Sequence, residues 1–193
     1  AENGWVSALF LTALVAEEDG GVELLKSGTE TKITDFNQPC FINAVAKLQN
    51  LLQNNAASNS VGAAYADAAN AFMSEQAAII ANGPWMSSDF ESSNSDKWSN
   101  GFDGAKVRAS LFPGDIGIAD TFKAKQGETQ VLADLAADTT TDTVFVPRIL
   151  DVIPASVANT EFGKLLPSLA DGTCTPEQFA QWMSDKAAEA SAE

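Results

Sequence analysis

The chain has 193 residues, of which 45% are hydrophobic and 19% charged, which is enough apolar sequence to bury a sizeable core. Its 11 Lys and Arg stand against 26 Asp and Glu, and the formal net charge of -15 argues against binding to nucleic acid or to an anionic membrane surface. The sequence contains no His, which excludes hydrolases built on a Ser/His or Cys/His pair.

The first predicted element is a helix of about three turns over the apolar residues 5–16. It ends at three carboxylates and two glycines, residues 17–21, because acidic side chains disfavour a helix C-terminus and glycine frees the backbone. The apolar stretch is about a dozen residues long, short of the roughly 20 that a bilayer span needs. The sequence therefore predicts no membrane-spanning segment.

Two amphipathic helices are predicted next, one over residues 40–53 and one that ends near residue 75. In each, apolar residues recur at i, i+4, i+7 and i+11, which is the spacing of one helix face. These residues are Phe41, Val45, Leu48 and Leu52 in the first helix, and Val61, Tyr65, Ala68 and Phe72 in the second.

Two β-strands are predicted after these helices. The five apolar residues 77–81 are closed by the turn sequence Asn-Gly-Pro, and such a short, well-bounded run favours a buried strand. From Lys106 to Pro113 polar and apolar residues alternate, as in a half-buried strand. Because helices outnumber strands, we expect an α/β or α+β fold with a small sheet.

The second half is predicted to be mostly helical, within a single domain over residues 1–193. A helix is expected over residues 128–136, an extended piece over 143–153, and a further helix near Leu165 that Pro167 must kink or shorten. The sequence Thr-Pro-Glu-Gln from Thr175 is a capping box with proline in the first turn, and it marks the start of the last helix.

Trp85 is the main candidate binding residue. It follows the Asn-Gly-Pro turn at the expected carboxyl end of a strand, where the binding clefts of α/β folds lie. A flat aromatic face packs against the C–H face of a sugar ring, and the polar loop that follows offers partners for hydroxyls. The alternative, that the ring only fills the hydrophobic core, stays open for Trp85 and is favoured for Trp5, Trp98 and Trp182.

Catalytic and metal sites are poorly supported. A glycosidase needs two carboxylates that flank one bond, but an acidic chain produces near-pairs such as Asp89 with Glu91, or Asp96 with Asp103, by chance. Residues 94–104 are rich in oxygen ligands, yet a tryptophan stands where a calcium loop requires a ligand. We therefore expect no catalytic residue, no metal and no cofactor.

The two cysteines, Cys40 and Cys174, fit either one long disulfide or two free thiols by count alone. A bridge requires their Cα atoms to lie within about 7 Å of each other. Since they belong to the starts of two different predicted helices, we expect them to be apart and free.

The order of several motifs resembles one protein family. They are the Glu-Glu-Asp-Gly-Gly sequence after a buried helix, Asp-Phe-Asn at residues 35–37, Tyr65-Ala-Asp, and above all the run from Phe72 to Trp85 that ends in Asn-Gly-Pro-Trp. The chain resembles the carboxyl-terminal lobe of the family 1 extracellular solute-binding proteins, the sugar receptors of ABC importers. The resemblance covers residues 1–112 and 143–190.

This resemblance implies an α/β, helix-rich lobe of a periplasmic-binding-protein type II fold with a small central sheet. It implies that Trp85 stacks on the ligand and that the chain is one lobe of a two-lobed receptor, either a piece of a longer protein or a natural half-receptor. The implied partners are a sugar or oligosaccharide, an ABC-transporter permease and an amino-terminal lobe with no counterpart here, and the implied location is extracellular, either periplasmic or anchored to the cell surface as a lipoprotein. The candidate ligand-binding residues are Trp85, Trp5, Asn82, Ser87 and Asp89.

Two other functions remain open at this point. One is a carbohydrate-active hydrolase domain that uses paired carboxylates, and the other is a structural interaction domain on the cell surface. Turnover of a chromogenic glycoside would indicate the hydrolase. The absence of both turnover and sugar binding would indicate the structural domain. With one lobe absent, we expect Trp85 to be partly exposed.

Overall fold

The computed structural model describes residues 4–57, 59–60, 62–80, 82–97, 102–108 and 130–192. The chain divides into two compact units, and the described residues of 1–64 and 146–193 belong to the first, those of 65–145 to the second. In the described ranges no helix is both long enough and apolar enough to span a bilayer. The α-helices are α1 (Trp5–Glu17), α2 (Gly21–Ser27), α3 (Pro39–Asn54), α4 (Tyr65–Met73), α5 (Gln130–Asp138), α6 (Phe162–Asp171) and α7 (Pro176–Ser191).

The first unit is organised around α1, α3, α6 and α7. Phe41 of α3 stacks on Phe179 of α7 with ring centroids 6.4 Å apart, and Phe162 of α6 meets Phe179 edge-on at 5.9 Å. All three rings are completely buried. The predicted apolar stripe on α3 therefore faces the centre of this core, and its position was correctly predicted by the helical spacing.

The last helix begins as predicted. The Thr175 side chain accepts a hydrogen bond from the Gln178 N–H at 3.2 Å, and the Gln178 side chain accepts one from the Thr175 N–H at 2.9 Å. These two bonds satisfy N–H groups that the first helical turn leaves without partners. The helix near Leu165 continues through Pro167 to Asp171 and is preceded by a π-helical turn over Val157–Glu161.

Two buried hydroxyl groups connect helices of the first unit to parts of the chain that are distant in sequence. Thr12 of α1 donates to the Ala8 carbonyl at 2.7 Å and accepts from the Ile149 N–H at 3.0 Å. Ser184 of α7 donates to the Ala180 carbonyl at 3.0 Å and accepts from the Phe36 N–H at 2.8 Å. Each hydroxyl thereby satisfies a backbone N–H that belongs to a distant part of the chain.

The second unit is built from α4, α5 and three short 3₁₀ helices, Pro84–Phe90, Ser92–Lys97 and Gly104–Lys106. Its small core contains the buried residues Ala69, Met73, Met86 and Phe90. The rings of Phe72, Phe90 and Phe102 form a cluster with centroid distances of 5.9–6.3 Å. This unit thus has an aromatic core of its own.

The predicted sheet is wrong, since the described residues contain no β-strand. Residues 77–80 are irregular, and Ile79 is 84% exposed, so this run is not a buried strand. Lys106 belongs to a 3₁₀ helix, and residues 109–113 of the second predicted strand lie outside the described residues. The α/β fold and the small central sheet of the expected periplasmic-binding-protein type II lobe are therefore replaced by helices. The expected single domain over residues 1–193 stays a prediction.

Candidate functional site

Trp85 lies at the beginning of the 3₁₀ helix Pro84–Phe90, not at the end of a strand as expected. In the same helix Met86 and Phe90 are buried in the core of the second unit. With these two side chains directed inward, Trp85 is left 45% exposed. The expectation of a partly exposed ring is confirmed, and the ring does not simply fill the core.

The indole ring of Trp85 packs directly on Gly83. A Cβ atom added to Gly83 would lie 2.0 Å from Cζ3, 2.2 Å from Cη2 and 2.4 Å from Cε3 of the ring. Real Cβ atoms do not approach other heavy atoms so closely, so this position of the ring requires a residue without a side chain. The six-membered part of the indole therefore rests on backbone, with a large part of the side chain open to solvent.

Asn82 is half-buried and makes its hydrogen bonds inside the second unit. Its Oδ1 accepts from the Gly83 N–H at 2.9 Å, and its Nδ2 lies 2.9 Å from Met86 Sδ and 3.4 Å from Tyr65 Oη. The structure thus connects this predicted ligand contact to the turn that precedes Trp85. Its direct contact with a ligand stays a prediction.

The polar residues after Trp85 are distributed around the helix by its geometry. A 3₁₀ helix has three residues per turn, so residues i and i+3 lie above one another. Ser88 therefore shares the face of Trp85, and its Oγ lies 3.5 Å from the Trp85 carbonyl oxygen. The predicted contacts Ser87 and Asp89 are half-buried and lie on the other faces.

Asn94 is a further residue near this helix that was not among the predicted contacts. Its Nδ2 donates to the Ser88 carbonyl at 2.8 Å, so it connects the two consecutive 3₁₀ helices. Once residues 84–90 are known to form a 3₁₀ helix, the three-residue period identifies Ser88, but the sequence contains no strong signal for that helix type. Asn94 was detectable only as one polar residue among many.

The structure describes two of the other three tryptophans, both in the first unit. Trp5 begins α1 and is half-buried in the first unit. Trp182 of α7 has Lys186 Nζ 5.1 Å from its ring centroid, and its buried indole N–H has no hydrogen-bond partner among the described residues. Trp98 lies outside the described residues. The role of Trp5 as a ligand contact stays a prediction.

Two of the four carboxylates that were considered as catalytic pairs accept local hydrogen bonds. Asp103 accepts a hydrogen bond from the Ala105 N–H at 3.1 Å and so caps a 3₁₀ helix. Glu91 accepts from the Ser93 hydroxyl at 3.3 Å. In the parts of the chain that the structure describes, no group of three or more His, Cys, Asp and Glu is placed to hold a metal ion.

A concave surface, here called the acidic groove, lies in the first unit and has a volume of about 560 Å³. Glu18 on its edge forms an ion pair with Lys47 at 2.6 Å and accepts a hydrogen bond from Asn43 at 3.1 Å. The hydrogen bond from Lys47 lowers the pKa of Glu18, and the same bond raises the pKa of Lys47. The residues that line the groove are Glu18, Asp19, Gly20, Glu23, Leu24, Ser27, Gln38, Pro39, Cys40 and Asn43.

The ion pair predicts a pH dependence of stability. Glu18→Gln is expected to lower the free energy of unfolding at pH 7 by about 0.2–1 kcal/mol, the range of partly exposed pairs. Because the pKa of Glu18 is lowered by folding, its contribution is complete above about pH 4.3 and is lost as the pH falls through the lower pKa of the folded state. Urea unfolding at pH 7 and at pH 3 measures this difference.

The control for this prediction is Glu30→Gln, which removes an exposed carboxylate from the same unit. It is expected to change the unfolding midpoint little at either pH. An effect of Glu18→Gln that is as large at pH 3 as at pH 7 would contradict the assignment to the ion pair.

The cysteines are free, as predicted, and both are buried. Burial raises the pKa of the Cys40 thiol and of the Cys174 thiol. Thiols with raised pKa values are poor nucleophiles at neutral pH, because the thiolate is the reactive form. Cys174 belongs to the hydrophobic core of the first unit, whereas Cys40 lies on the lining of the acidic groove.

Comparison of the chain with models of known families, with curated proteins and with solved structures found no match. The geometry defines a helical protein that carries a half-exposed indole on a backbone turn of its second unit.

Proposed function

We propose that this chain binds carbohydrate through Trp85 and is part of an exported receptor that delivers a sugar or oligosaccharide to the permease of an ABC importer. The observation that carries the proposal is the half-exposed indole that packs on Gly83. Such a ring offers a flat apolar surface whose contact area is available without rearrangement of the core. The C–H face of a pyranose is a complementary partner for it.

The polar groups close to the ring support this choice of ligand. Ser88 on the same helix face carries a hydroxyl that can donate or accept, and Asn82, Ser87 and Asp89 lie within three or four residues of Trp85. Sugar hydroxyls bind to such neutral and acidic groups through hydrogen bonds. The net charge of -15 favours an uncharged sugar over a phosphorylated one.

The receptor role is supported by the motif order of the sequence, in particular the run from Phe72 to Asn-Gly-Pro-Trp. In this role the protein is extracellular, periplasmic or held at the cell surface, and it binds its ligand without turnover. A second lobe covers the free side of the sugar in the complete receptor. Affinity of this chain by itself is expected to be about millimolar, because one aromatic contact of about 1 kcal/mol and a few exposed hydrogen bonds of about 0.5–1.5 kcal/mol are available.

Trp85→Ala is expected to weaken carbohydrate binding by about fivefold or more, since the stacking contact contributes on the order of 1 kcal/mol. Ligand-observed NMR with a panel of neutral oligosaccharides measures dissociation constants in the millimolar range. The matched control is Ile79→Ala, because Ile79 is the most exposed large apolar side chain among the described residues of the same unit but has no ring.

Binding that is unchanged by Trp85→Ala, or weakened equally by Ile79→Ala, would contradict a stacking role. Release of product from a chromogenic glycoside by the wild-type chain would contradict the proposal of binding without catalysis. Micromolar affinity of the chain by itself would contradict the need for a second lobe.

A further inference from the structure

We propose that Gly83 is a positioning residue for the ligand platform: by lacking a side chain it sets the orientation in which Trp85 presents its indole. The structural half of this inference stands on the geometry of the turn. Its consequence for ligand binding rests on the carbohydrate-binding function proposed above.

The backbone of Gly83 does not itself require glycine. Its φ of -104° and ψ of 173° are extended values that any residue adopts. What excludes a side chain is the indole, with three consecutive ring atoms within 2.4 Å of the position of a Cβ atom. Glycine at this position is therefore explained by the ring of Trp85 and not by backbone conformation.

The turn that carries Gly83 is held by hydrogen bonds on both sides of this residue. Asn82 Oδ1 accepts a hydrogen bond from the Gly83 N–H at 2.9 Å, and Asn82 Nδ2 donates to Met86 Sδ at 2.9 Å. Met86 is buried, and its own N–H donates to the Gly83 carbonyl at 3.1 Å. The N–H of Gly83 is thus bound by Asn82 and its carbonyl by the buried Met86, whereas the Trp85 ring is half exposed.

This difference decides which group moves when a side chain is added. In Gly83→Ala the new methyl group overlaps the ring, and the exposed ring yields because the turn is held by hydrogen bonds to Asn82 and Met86. The ring rotates away from the backbone to another rotamer. Its stacking face then no longer has the same relation to the hydroxyl of Ser88, which lies on the same side of the helix.

Fluorine NMR of protein labelled with fluorotryptophan tests the structural half without any ligand. The chain has four tryptophans, and a Trp85→Phe variant identifies the resonance of Trp85. Gly83→Ala is expected to shift this resonance alone and to leave the thermal midpoint within about 4 °C of wild type. A Trp85 resonance at the wild-type position would overturn the inference.

Binding of the oligosaccharide panel tests the functional half through a double-mutant cycle. Gly83→Ala is expected to weaken binding about as much as Trp85→Ala, and to have no further effect in the Trp85→Ala background. A shifted resonance with unchanged affinity would overturn the positioning role. If the wild-type chain binds no sugar, the proposed function fails, while the fluorine spectrum still decides whether Gly83 orients the ring.

The variant that combines Gly83→Ala with Trp85→Ala also tests the inference if Gly83→Ala by itself does not fold. Folding restored by adding Trp85→Ala would show that the overlap between the new methyl group and the ring is the cause, and would support the inference. Failure of the double variant to fold would mean that Gly83 is required by other neighbours, and would overturn it.

Discussion

Phe179→Ala is expected to lower the free energy of unfolding by about 3–5 kcal/mol, the range for removal of a buried aromatic side chain. Phe179 is completely buried and lies between the rings of Phe41 and Phe162. Its removal leaves a cavity where α3, α6 and α7 meet, and both neighbouring rings lose an aromatic contact. Urea unfolding followed by circular dichroism measures the change.

The control is Gln181→Ala, two residues further along α7. Gln181 is exposed and hydrogen-bonds only one turn away, to Asp185 at 2.8 Å. Such an i, i+4 pair contributes about 0.2–0.5 kcal/mol. A cost of Phe179→Ala that is no larger than that of the control would show that the aromatic cluster does not hold the first unit together.

Thr12→Val is expected to be the next most destabilising change, with a cost of about 1–3 kcal/mol. Valine matches the shape of threonine but cannot accept the hydrogen bond from the Ile149 N–H, which is 3.0 Å from Thr12 Oγ1. Both residues are completely buried, so water does not replace the lost partner. Hydrogen exchange of the Ile149 amide, observed by NMR, is expected to accelerate together with the loss of stability.

Thr12→Ser provides the matched control, because it keeps the hydroxyl and removes one methyl group. It is expected to cost up to about 0.8 kcal/mol for the lost apolar contact while the Ile149 amide stays protected. Equal exchange rates for the Ile149 amide in the valine and serine variants would contradict the role given to the hydroxyl.

Helices with strong local signals were predicted within one or two residues. The helix expected over residues 40–53 is Pro39–Asn54, and the one expected over residues 5–16 is Trp5–Glu17. Their apolar period and their end signals act between residues close in sequence, which is why one sequence is enough to locate them. The seven-residue α2 was not predicted, because its apolar residues are too few to show a period.

The two predicted strands were wrong for a different reason from the one that hid α2. An apolar run of five residues has no period that distinguishes a buried strand from a loop or a helix, and a strand exists only where another strand pairs with it. In the described residues no such partner is present, and the exposed Ile79 shows that residues 77–80 do not lie in a core. The position of Trp85 was consequently inferred from a strand that the described structure does not contain.

The sequence by itself determined the amphipathic helices and the capped start of the last helix, since both depend on local spacing or on residue type. Only the tertiary structure decided that Trp85 is half exposed, that its ring packs on Gly83, and that the Thr12 hydroxyl meets the Ile149 N–H. The physical reason is the separation along the chain between the residues that interact. Periodicity and capping act within a few residues, whereas burial and the choice of a hydrogen-bond partner depend on how distant segments pack in three dimensions.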